Sequence, residues 1–243
     1  MKVAVITPVG PGHEAVYIDC KKSIASAWKK NQGPFTDLIL IPQWDLEGSF
    51  GRSERRNCGI KQAKDMGCEW LFFLDADDIM TPFAFEDVRK YTSEYDAIWG
   101  YICETQFNDA SNVKLRENQL RPTAAISDIL TTDPFLSIQM GHFVKTSVAA
   151  KIKFDESMDT GEDFKYYLSV WRFHKACKTS GVFFVNIRGN HSHGPRSANG
   201  RDWRIAVERE IANCKNQLID TVVSSGLDRQ LGNFKANTVS EIA

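Results

Sequence analysis

The first 74 residues alternate between continuous apolar runs and segments with helical spacing of apolar positions. The apolar runs predict buried strands over residues 2–9, 36–42 and 70–74, because a strand covered on both faces is apolar throughout. Apolar side chains recur every three or four positions over residues 14–30, which predicts an amphipathic helix, and a second helix is predicted over residues 53–66. This β-α-β-α-β order indicates a Rossmann-like α/β fold with a parallel sheet and helices on both faces.

The second half of the chain predicts shorter and more varied elements. Its predicted strands and helices cover, in chain order, residues 95–104, 134–144 and 181–187 for strands and residues 146–151, 162–175 and 203–224 for helices. The polar residues 105–121 predict a hairpin or an excursion from the sheet. We therefore expect a small antiparallel addition in this half, within one domain over residues 1–225.

The pattern of the chain shows no repeat and no linker, so residues 1–225 are read as one domain. Residues 226–243 form a polar, weakly patterned tail. The first strand ends in "PVGPGHE", whose two glycines do not complete the GxGxxG fingerprint of dinucleotide sites. A dinucleotide cofactor is therefore not expected.

Composition changes this picture little. The 243 residues carry 42% hydrophobic and 25% charged residues and a net charge of −1, which is typical of a globular protein without a global basic field. Six scattered cysteines without a CxxC pair predict reduced thiols, neither disulfides nor a zinc site. The sequence shows no apolar run of about 20 residues and no signal-peptide pattern, so a cytoplasmic location is expected.

An acidic triplet follows the third predicted strand directly, in "WLFFLDADDIMTP". Asp75, Asp77 and Asp78 repel one another, which destabilises a fold unless a positive charge joins them. A bound cation at the carboxyl edge of the sheet would supply that charge. The alternative is a solvated turn in which Asp78 or Thr81 caps a helix that begins near Pro82.

Two further motifs contain groups that bind anions or transfer protons. "GRSERRNCGI" places Arg52, Arg55 and Arg56 in the first turns of a predicted helix, where they form either a solvated basic face or an anion site. "DTGEDFKYYL" places Glu162 and Asp163 at another helix start. There they either stabilise the helix through its dipole or act as a general base.

In this order, the motifs resemble the GT-A fold glycosyltransferases, in particular the inverting family 2. In that family an "RN.G" helix start precedes "LDADD", and a Glu-Asp pair opens a later helix beside the acceptor. The resemblance covers about residues 3 to 171 and is expected to continue to His193. It implies a nucleotide-binding half over residues 1–104 and an acceptor-side half over residues 105–225. It implies an enzyme that transfers a sugar from a nucleoside-diphosphate sugar.

The resemblance implies roles for the acidic triplet and the arginine helix. Asp77 would bind Mn²⁺ or Mg²⁺, Asp75 would hold the ribose or a metal-bound water, and Ala76 would lie between them in the donor site. Arg56, supported by Arg52, would contact the diphosphate or the uracil. Asn57 is expected to brace the loop, and Asp78 is either a helix cap or a ligand.

The ends of the first two strands would hold the base. The family resemblance assigns this cradle to Thr7, Pro8, Val9, Gln43 and Asp45. The segment "IPQWDLEGS" does not carry the paired aspartates that many relatives have there, so the resemblance leaves the identity of the base open at this position. Uridine, and hence a UDP-sugar, is the default expectation for the donor.

The remaining assignments concern the acceptor side. Asp163 would deprotonate the acceptor hydroxyl, with Glu162 as its neighbour. Gly141 would line the sugar pocket, while His142 belongs either to the core or to the acceptor contact. His193 or His191 would supply a further metal ligand, and Arg196 with Arg201 would bind the diphosphate or an anionic acceptor.

The predicted function is thus a metal-dependent inverting glycosyltransferase with a glycan as favoured acceptor. Five arginines over residues 188–209 also permit a phosphorylated or, ranked lower, a nucleic-acid acceptor. The alternatives are a sugar-1-phosphate nucleotidyltransferase, which normally carries a GxGTR loop, and a non-catalytic sugar-nucleotide binding module.

Overall fold

A computed structural model describes residues 1–107, 109–189 and 200–224 of the chain. Two sheets organise this part of the molecule. The larger has six strands in the order β2-β1-β3-β8-β5-β9, and the smaller has four in the order β4-β10-β6-β7. The strands are β1 Lys2–Val9, β2 Asp37–Trp44, β3 Trp70–Phe73, β4 Ile79–Met80, β5 Ala97–Trp99, β6 Cys103–Gln106, β7 Asp109–Leu115, β8 Phe143–Lys145, β9 Ala176–Lys178 and β10 Phe184–Arg188.

Eight helices cover the sheets in the described part of the chain. They are α1 Glu14–Lys30, α2 Gly51–Asp65, α3 Ala84–Val88, α4 Ile126–Thr131, α5 Pro134–Ser137, α6 Thr146–Ile152, α7 Glu162–Phe173 and α8 Gly200–Ser224. None of these helices has the length and apolar character needed to cross a membrane. All six cysteines are free thiols.

The larger sheet is mostly parallel, as the continuous apolar runs predict. Strand β1 pairs in parallel with β2 and β3, while β8 runs antiparallel between β3 and β5. Because successive side chains of a strand point to opposite faces, Phe72 packs into the core beneath α1 and α3, and Phe73 into the core beneath α2 and α7. The sheet is therefore buried on both faces, which confirms the predicted α/β class.

The predicted strand over residues 134–144 is wrong for most of its length. Pro134 begins the short helix α5, and the Asp133 side chain caps it by accepting a hydrogen bond from the Phe135 amide at 2.9 Å. Only the end of this segment forms a strand, β8. The apolar run alone could not separate the two structures, whereas the Asp-Pro cap is a local signal for a helix start.

The predicted strand over residues 95–104 is divided between the two sheets. β5 ends at Trp99, and β6 begins at Cys103 in the smaller sheet. The chain crosses at Gly100, where a Cβ atom would lie only 2.4 Å from the carbonyl oxygen of Gly181. β6 and β7 form the expected antiparallel hairpin, and β4, which follows β3 along the chain, pairs antiparallel with the first residues of β10 in the smaller sheet.

Candidate active site

The acidic triplet lies in a tight turn at the carboxyl edge of the larger sheet. β3 ends at Phe73 between β1 and β8, and the Asp78 amide donates to the Asp75 carbonyl oxygen at 3.0 Å, which closes the turn. Asp75 and Asp77 are partly exposed in this turn, whereas Asp78 is buried. We call the surface between these two carboxylates and the start of α7 the cleft. Ala76 between them is 1% exposed and belongs to the core.

Asp78 binds the smaller sheet. Its Oδ1 accepts hydrogen bonds from the Asn186 side chain and the Ile187 amide, both at 3.0 Å, and the residue is 2% exposed. Burial, and then repulsion by Asp77 and Asp75, raise its pKa well above the ordinary value. Asp78 is therefore neither a helix cap nor an open metal ligand, and its bonds hold β10 against the acidic turn.

Arg56 joins the acidic turn to α7. Its Nη2 donates to Asp75 Oδ1 at 2.7 Å, and its Nη1 donates to Glu162 Oε1 at 3.2 Å. Arg56 is 2% exposed, so the prediction that it contacts the nucleotide does not fit the described structure. The guanidinium instead lies between two carboxylates and donates from a different nitrogen to each, which its planar group of donors allows.

Arg52 is the arginine of α2 that remains accessible. It lies one helical turn before Arg56, its side chain is 48% exposed, and its Nε is 3.3 Å from Glu162 Oε1. Its Nη2 also donates to the carbonyl oxygen of Asp159 at 3.2 Å. A diphosphate in the cleft would meet Arg52 before any other arginine of this helix that the structure describes.

Glu162 and Asp163 open α7 but have different surroundings. Gly161, which precedes them, has φ of +74°, and a Cβ atom there would lie 2.8 Å from Ala206 Cβ, so glycine is required at this turn. Glu162 is buried at 2% exposure and is bound by Arg56 and Arg52. It serves as a buried anchor for the helix start, which argues against the predicted catalytic role.

Asp163 is the partly exposed carboxylate of the pair. Its Oδ1 accepts from the Phe164 amide at 2.8 Å and from the Trp203 indole at 3.4 Å. Burial, and then the charge of Glu162, raise the pKa of Asp163 to about 6. A carboxylate with a pKa this close to neutrality is suited to accept a proton from a hydroxyl group.

Asp77 carries the least compensated charge of the triplet. Burial, and then repulsion by Asp75, raise its pKa to about 7. For Asp75, Arg56 outweighs the effect of burial and lowers the pKa. A divalent cation beside Asp77 would relieve this repulsion, and carboxylate oxygens are the ligands that Mg²⁺ and Mn²⁺ prefer.

The described residues do not by themselves complete a metal site. Within residues 1–107, 109–189 and 200–224, no three His, Cys, Asp or Glu side chains converge as a metal-binding group. The predicted ligands His191 and His193, and the predicted anion contact Arg196, lie outside these residues. The two carboxylates Asp75 and Asp77 fit a cation that takes its remaining ligands from a diphosphate and water.

The predicted base cradle is mostly buried. Thr7 and Val9 are 2% and 0% exposed, and the Val9 side chain is part of the core. Pro8 is also buried, and the Gln43 side chain donates to Gln62 at 2.9 Å. A base at this edge would therefore meet backbone and the rim of β2, and the side chain of Val9 is not available to it.

Asp45 shapes the loop before α2. Its carboxylate accepts hydrogen bonds from three successive amides, those of Ser49, Phe50 and Gly51, at 2.9, 3.1 and 2.9 Å. These bonds satisfy donors near the start of α2 and so position Arg52. A contact between Asp45 and a nucleotide base remains a prediction.

Gly141 and His142 belong to the interior. A Cβ atom on Gly141 would lie 2.3 Å from the Phe184 ring, and the glycine has φ of +94°. The His142 ring is fully buried and stacks on Trp99 at 4.3 Å between ring centroids. Burial, and then Arg56, lower its pKa to about 3, so His142 is a neutral core residue. Of its two predicted alternatives, the core assignment is confirmed.

Two residues at the site, Asn186 and Trp203, were not predicted as parts of it. Asn186 lies within a strand and carries no sequence signal for its bond to Asp78. Trp203 begins the apolar face of α8, which hides its indole contact with Asp163. Asn57 was expected to brace a loop, and it does so by bonding the backbone of Phe154 in both directions at 2.9 Å.

The sheet order, the single reversed strand and the acidic turn together constitute the GT-A fold, and the chain resembles the glycosyltransferases of family 2. No family model matches the sequence. The comparisons with individual proteins agree with the fold.

Two Staphylococcus aureus proteins are similar to the chain. The curated relative is the poly(ribitol-phosphate) beta-N-acetylglucosaminyltransferase TarP of strain N315, 26% identical over 160 residues, which are 63% of this chain and 47% of TarP. The crystal structure of TarS residues 1–349 in complex with UDP-GlcNAc matches 100% of this chain and 76% of that chain, with a TM-score of 0.65 and 17% identity. A longer TarS structure matches 77% of this chain and 37% of that chain, with a TM-score of 0.58 and 16% identity. The chain thus spans about half the length of the curated relative it matches.

Proposed function

We propose that this chain transfers a sugar from a UDP-sugar to an acceptor hydroxyl with inversion at the anomeric carbon. One observation carries the proposal: Arg56 binds both Asp75 and Glu162, so the acidic turn and the start of α7 line the same cleft. A donor held by the first would lie beside the carboxylate of Asp163 on the second. The similarity to TarS, solved with UDP-GlcNAc, makes that nucleotide sugar the first donor to test.

In this mechanism Asp163 accepts the proton of the acceptor hydroxyl. The acceptor oxygen forms a bond to the anomeric carbon, and the bond from that carbon to the phosphate oxygen breaks. The electron pair of the broken bond leaves with UDP. The Trp203 indole and the Phe164 amide both donate to Oδ1 of Asp163. In this mechanism Oδ2 is therefore the oxygen that accepts the proton of the hydroxyl group.

The negative charge that develops on UDP requires cationic groups nearby. Arg52 is the described cation that is accessible in the cleft. A divalent cation held by Asp77, with Asp75 beside it, would neutralise the diphosphate as a Lewis acid. Burial, and then repulsion by Asp75, raise the pKa of Asp77, and a cation beside it would favour the charged carboxylate.

For the acceptor, the name of the relative TarP points to a polyol phosphate chain. We therefore take ribitol phosphate oligomers as the first acceptor class and neutral glycans as the second. Both present hydroxyl groups to Asp163, and they differ in the charge that the acceptor side must bind.

The test separates donor binding from transfer. Thermal shifts with UDP, UDP-GlcNAc and nucleoside triphosphates, with Mn²⁺ and with a chelator, should show stabilisation by the first two only when the metal is present. Asp77→Asn should remove the metal-dependent shift, whereas Asp163→Asn should keep it and remove transfer. Asp65→Asn, an exposed residue of α2, is the matched control. Stabilisation by a triphosphate alone, or full activity of Asp163→Asn, would contradict the proposal.

A further inference from the structure

A second charged cluster lies on the smaller sheet, outside the cleft. We define the β6–β10 cluster by five residues: Glu104, Arg116, Phe135, Lys178 and Arg188. Strands β6 and β10 pair in parallel with Glu104 opposite Asn186. Because alternate residues share a face, Arg188 lies on the face of Asn186, about 7 Å further along the strand.

This position adjoins the candidate active site. The Asn186 side chain donates to Asp78 of the acidic turn at 3.0 Å. The Arg188 side chain therefore lies on the face of β10 that contacts Asp78, two residues after Asn186. An acceptor chain that enters the cleft over the smaller sheet would cross this surface.

The cluster has more positive than negative charge. Arg116 donates its Nε and Nη2 to Glu104 Oε2 at 2.9 and 2.7 Å, and Arg188 Nη1 lies 3.9 Å from the same oxygen. Lys178 is 2% exposed and bonds only neutral oxygens among the described residues, those of Gln119 and Ser137. Two guanidinium groups, those of Arg116 and Arg188, thus share one carboxylate, and Lys178 adds a third basic group near Arg116.

Burial, and then repulsion by Arg116, lower the pKa of Lys178 to about 7. The lysine is therefore only partly protonated near neutral pH when no anion is bound. An anion at the cluster would favour its charged form.

Internal packing explains two of the cations but not the third. Arg116 is buried and ties β6, through Glu104, to α5, through the Phe135 carbonyl oxygen, and Lys178 of β9 bonds Gln119 and the Ser137 carbonyl oxygen of α5. The Arg188 side chain is 44% exposed, and its ion pair among the described residues is the long contact to Glu104. Its guanidinium lies 5.3 Å from the centre of the Phe135 ring, which is itself 36% exposed.

An accessible guanidinium beside an exposed aromatic ring can recognise two features of one ligand. The guanidinium fork matches two oxygens of a phosphate, and the ring offers an apolar face for a carbon chain. We propose that Arg188 and Phe135 form an acceptor subsite for a phosphate-linked polyol, with Arg188 on the phosphate and Phe135 on the carbon chain. Arg116 and Lys178 supply the surrounding positive charge. This proposal rests on the proposed glycosyl transfer.

The experiment uses the full chain with three probes: a ribitol phosphate tetramer, inorganic phosphate and UDP-GlcNAc with Mn²⁺. For Arg188→Gln, calorimetry should show Kd for the tetramer raised about tenfold or more, the loss expected for a charged hydrogen bond. Kd for UDP-GlcNAc should stay within about twofold of wild type. In transfer assays, the KM for the tetramer should rise with kcat unchanged. Arg89→Gln, an exposed arginine on the α3 side, is the control for loss of one charge.

Phe135→Ala distinguishes binding of the phosphate-linked polyol from binding of inorganic phosphate alone. It should weaken tetramer binding and leave the competition by inorganic phosphate unchanged, as expected if the ring contacts carbon. If Phe135→Ala has no effect on the tetramer, or if Arg188→Gln weakens UDP-GlcNAc as much as the tetramer, the acceptor subsite is refuted. If wild type binds the tetramer through Arg188 but neither binds nor cleaves UDP-GlcNAc, the subsite stands and the proposed function fails.

Discussion

Replacing Arg56 by methionine tests the link that holds the candidate active site together. Methionine keeps most of the buried stem but removes the charge and both hydrogen bonds. Glu162, whose side chain is 3% exposed, would then keep only Arg52, which is half exposed and 3.3 Å away. Asp75, whose side chain is 32% exposed, would lose its cationic partner but could be hydrated.

The size of the effect follows mainly from Glu162. Removing one partner of a buried ion pair costs about 3–5 kcal/mol, because the other charge is left buried without compensation. We expect the free energy of unfolding to fall by about this amount, with little added by the hydrated Asp75. In a chain of this size, that corresponds to a decrease in Tm of roughly 6–20 °C.

The assay is urea unfolding followed by tryptophan fluorescence, with thermal unfolding as a second measure. Lys61→Met is the matched control on the same helix, since Lys61 pairs with Asp65 at 3.1 Å but both side chains are more than 60% exposed. It should cost below about 1 kcal/mol. Adding Glu162→Gln to Arg56→Met should restore part of the lost stability. A loss for Arg56→Met no larger than for Lys61→Met, or purely additive effects in the double variant, would refute the reasoning.

Three further results are expected. The kcat/KM of the proposed transfer should rise about tenfold per pH unit up to about pH 6 and then level off, because Asp163 must lose its proton to act as a base. A pH profile of the same shape but with a shifted midpoint in Asp163→Glu would support this. A flat wild-type profile would contradict it. His142 is neutral in the fold, with a pKa of about 3, whereas its pKa in the unfolded chain is near 6.5, so between these pH values only the unfolded state binds the extra proton. As the pH decreases below about 6.5, the free energy of unfolding should therefore fall by about 1.4 kcal/mol per pH unit more than in His142→Phe. The same pH dependence of the free energy of unfolding in both proteins, measured with urea, would exclude this linkage. Gly141→Ala should lower the free energy of unfolding by about 1–3 kcal/mol more than Gly67→Ala, since both glycines have positive φ but only the first would place a Cβ atom against Phe184; equal losses would show that the packing relaxes without cost.

The sequence predicts the elements of residues 1–74 better than those that follow for a physical reason. Strands β1 and β3 are buried along almost their whole length, so their sequences are mostly apolar, and β2, which is only partly buried at the sheet edge, still has an apolar run over residues 38–41. The later strands have two to five residues, apart from β7 with seven, and the chain moves between the two sheets at Gly100. Elements this short contain too few positions for a period to show, and β9 was not predicted at all.

At the site, residue types were easier to predict than partners. The motifs drew attention to Arg56, Glu162 and Asp163, but sequence gives no measure of burial. Burial separates the roles, since it makes Arg56 and Glu162 an internal pair and leaves Asp163 partly exposed. Such long-range pairs, 106 residues apart in the chain for Arg56 and Glu162, depend on the packing of α2 against α7 and have no local signal.

The acidic triplet shows how three adjacent carboxylates can be tolerated in one turn. Asp75 is compensated by the guanidinium of Arg56, and Asp78 by the Asn186 side chain and the Ile187 amide. Asp77 has no ion pair with any residue that the structure describes, and its pKa is raised to about 7 by burial and by Asp75. A cation bound there would be attracted by Asp77 and Asp75, and at Asp75 it would compete with the existing partner Arg56. Metal and diphosphate should therefore bind together, because Asp77 alone offers too few oxygens and the diphosphate alone would add repulsion to the turn.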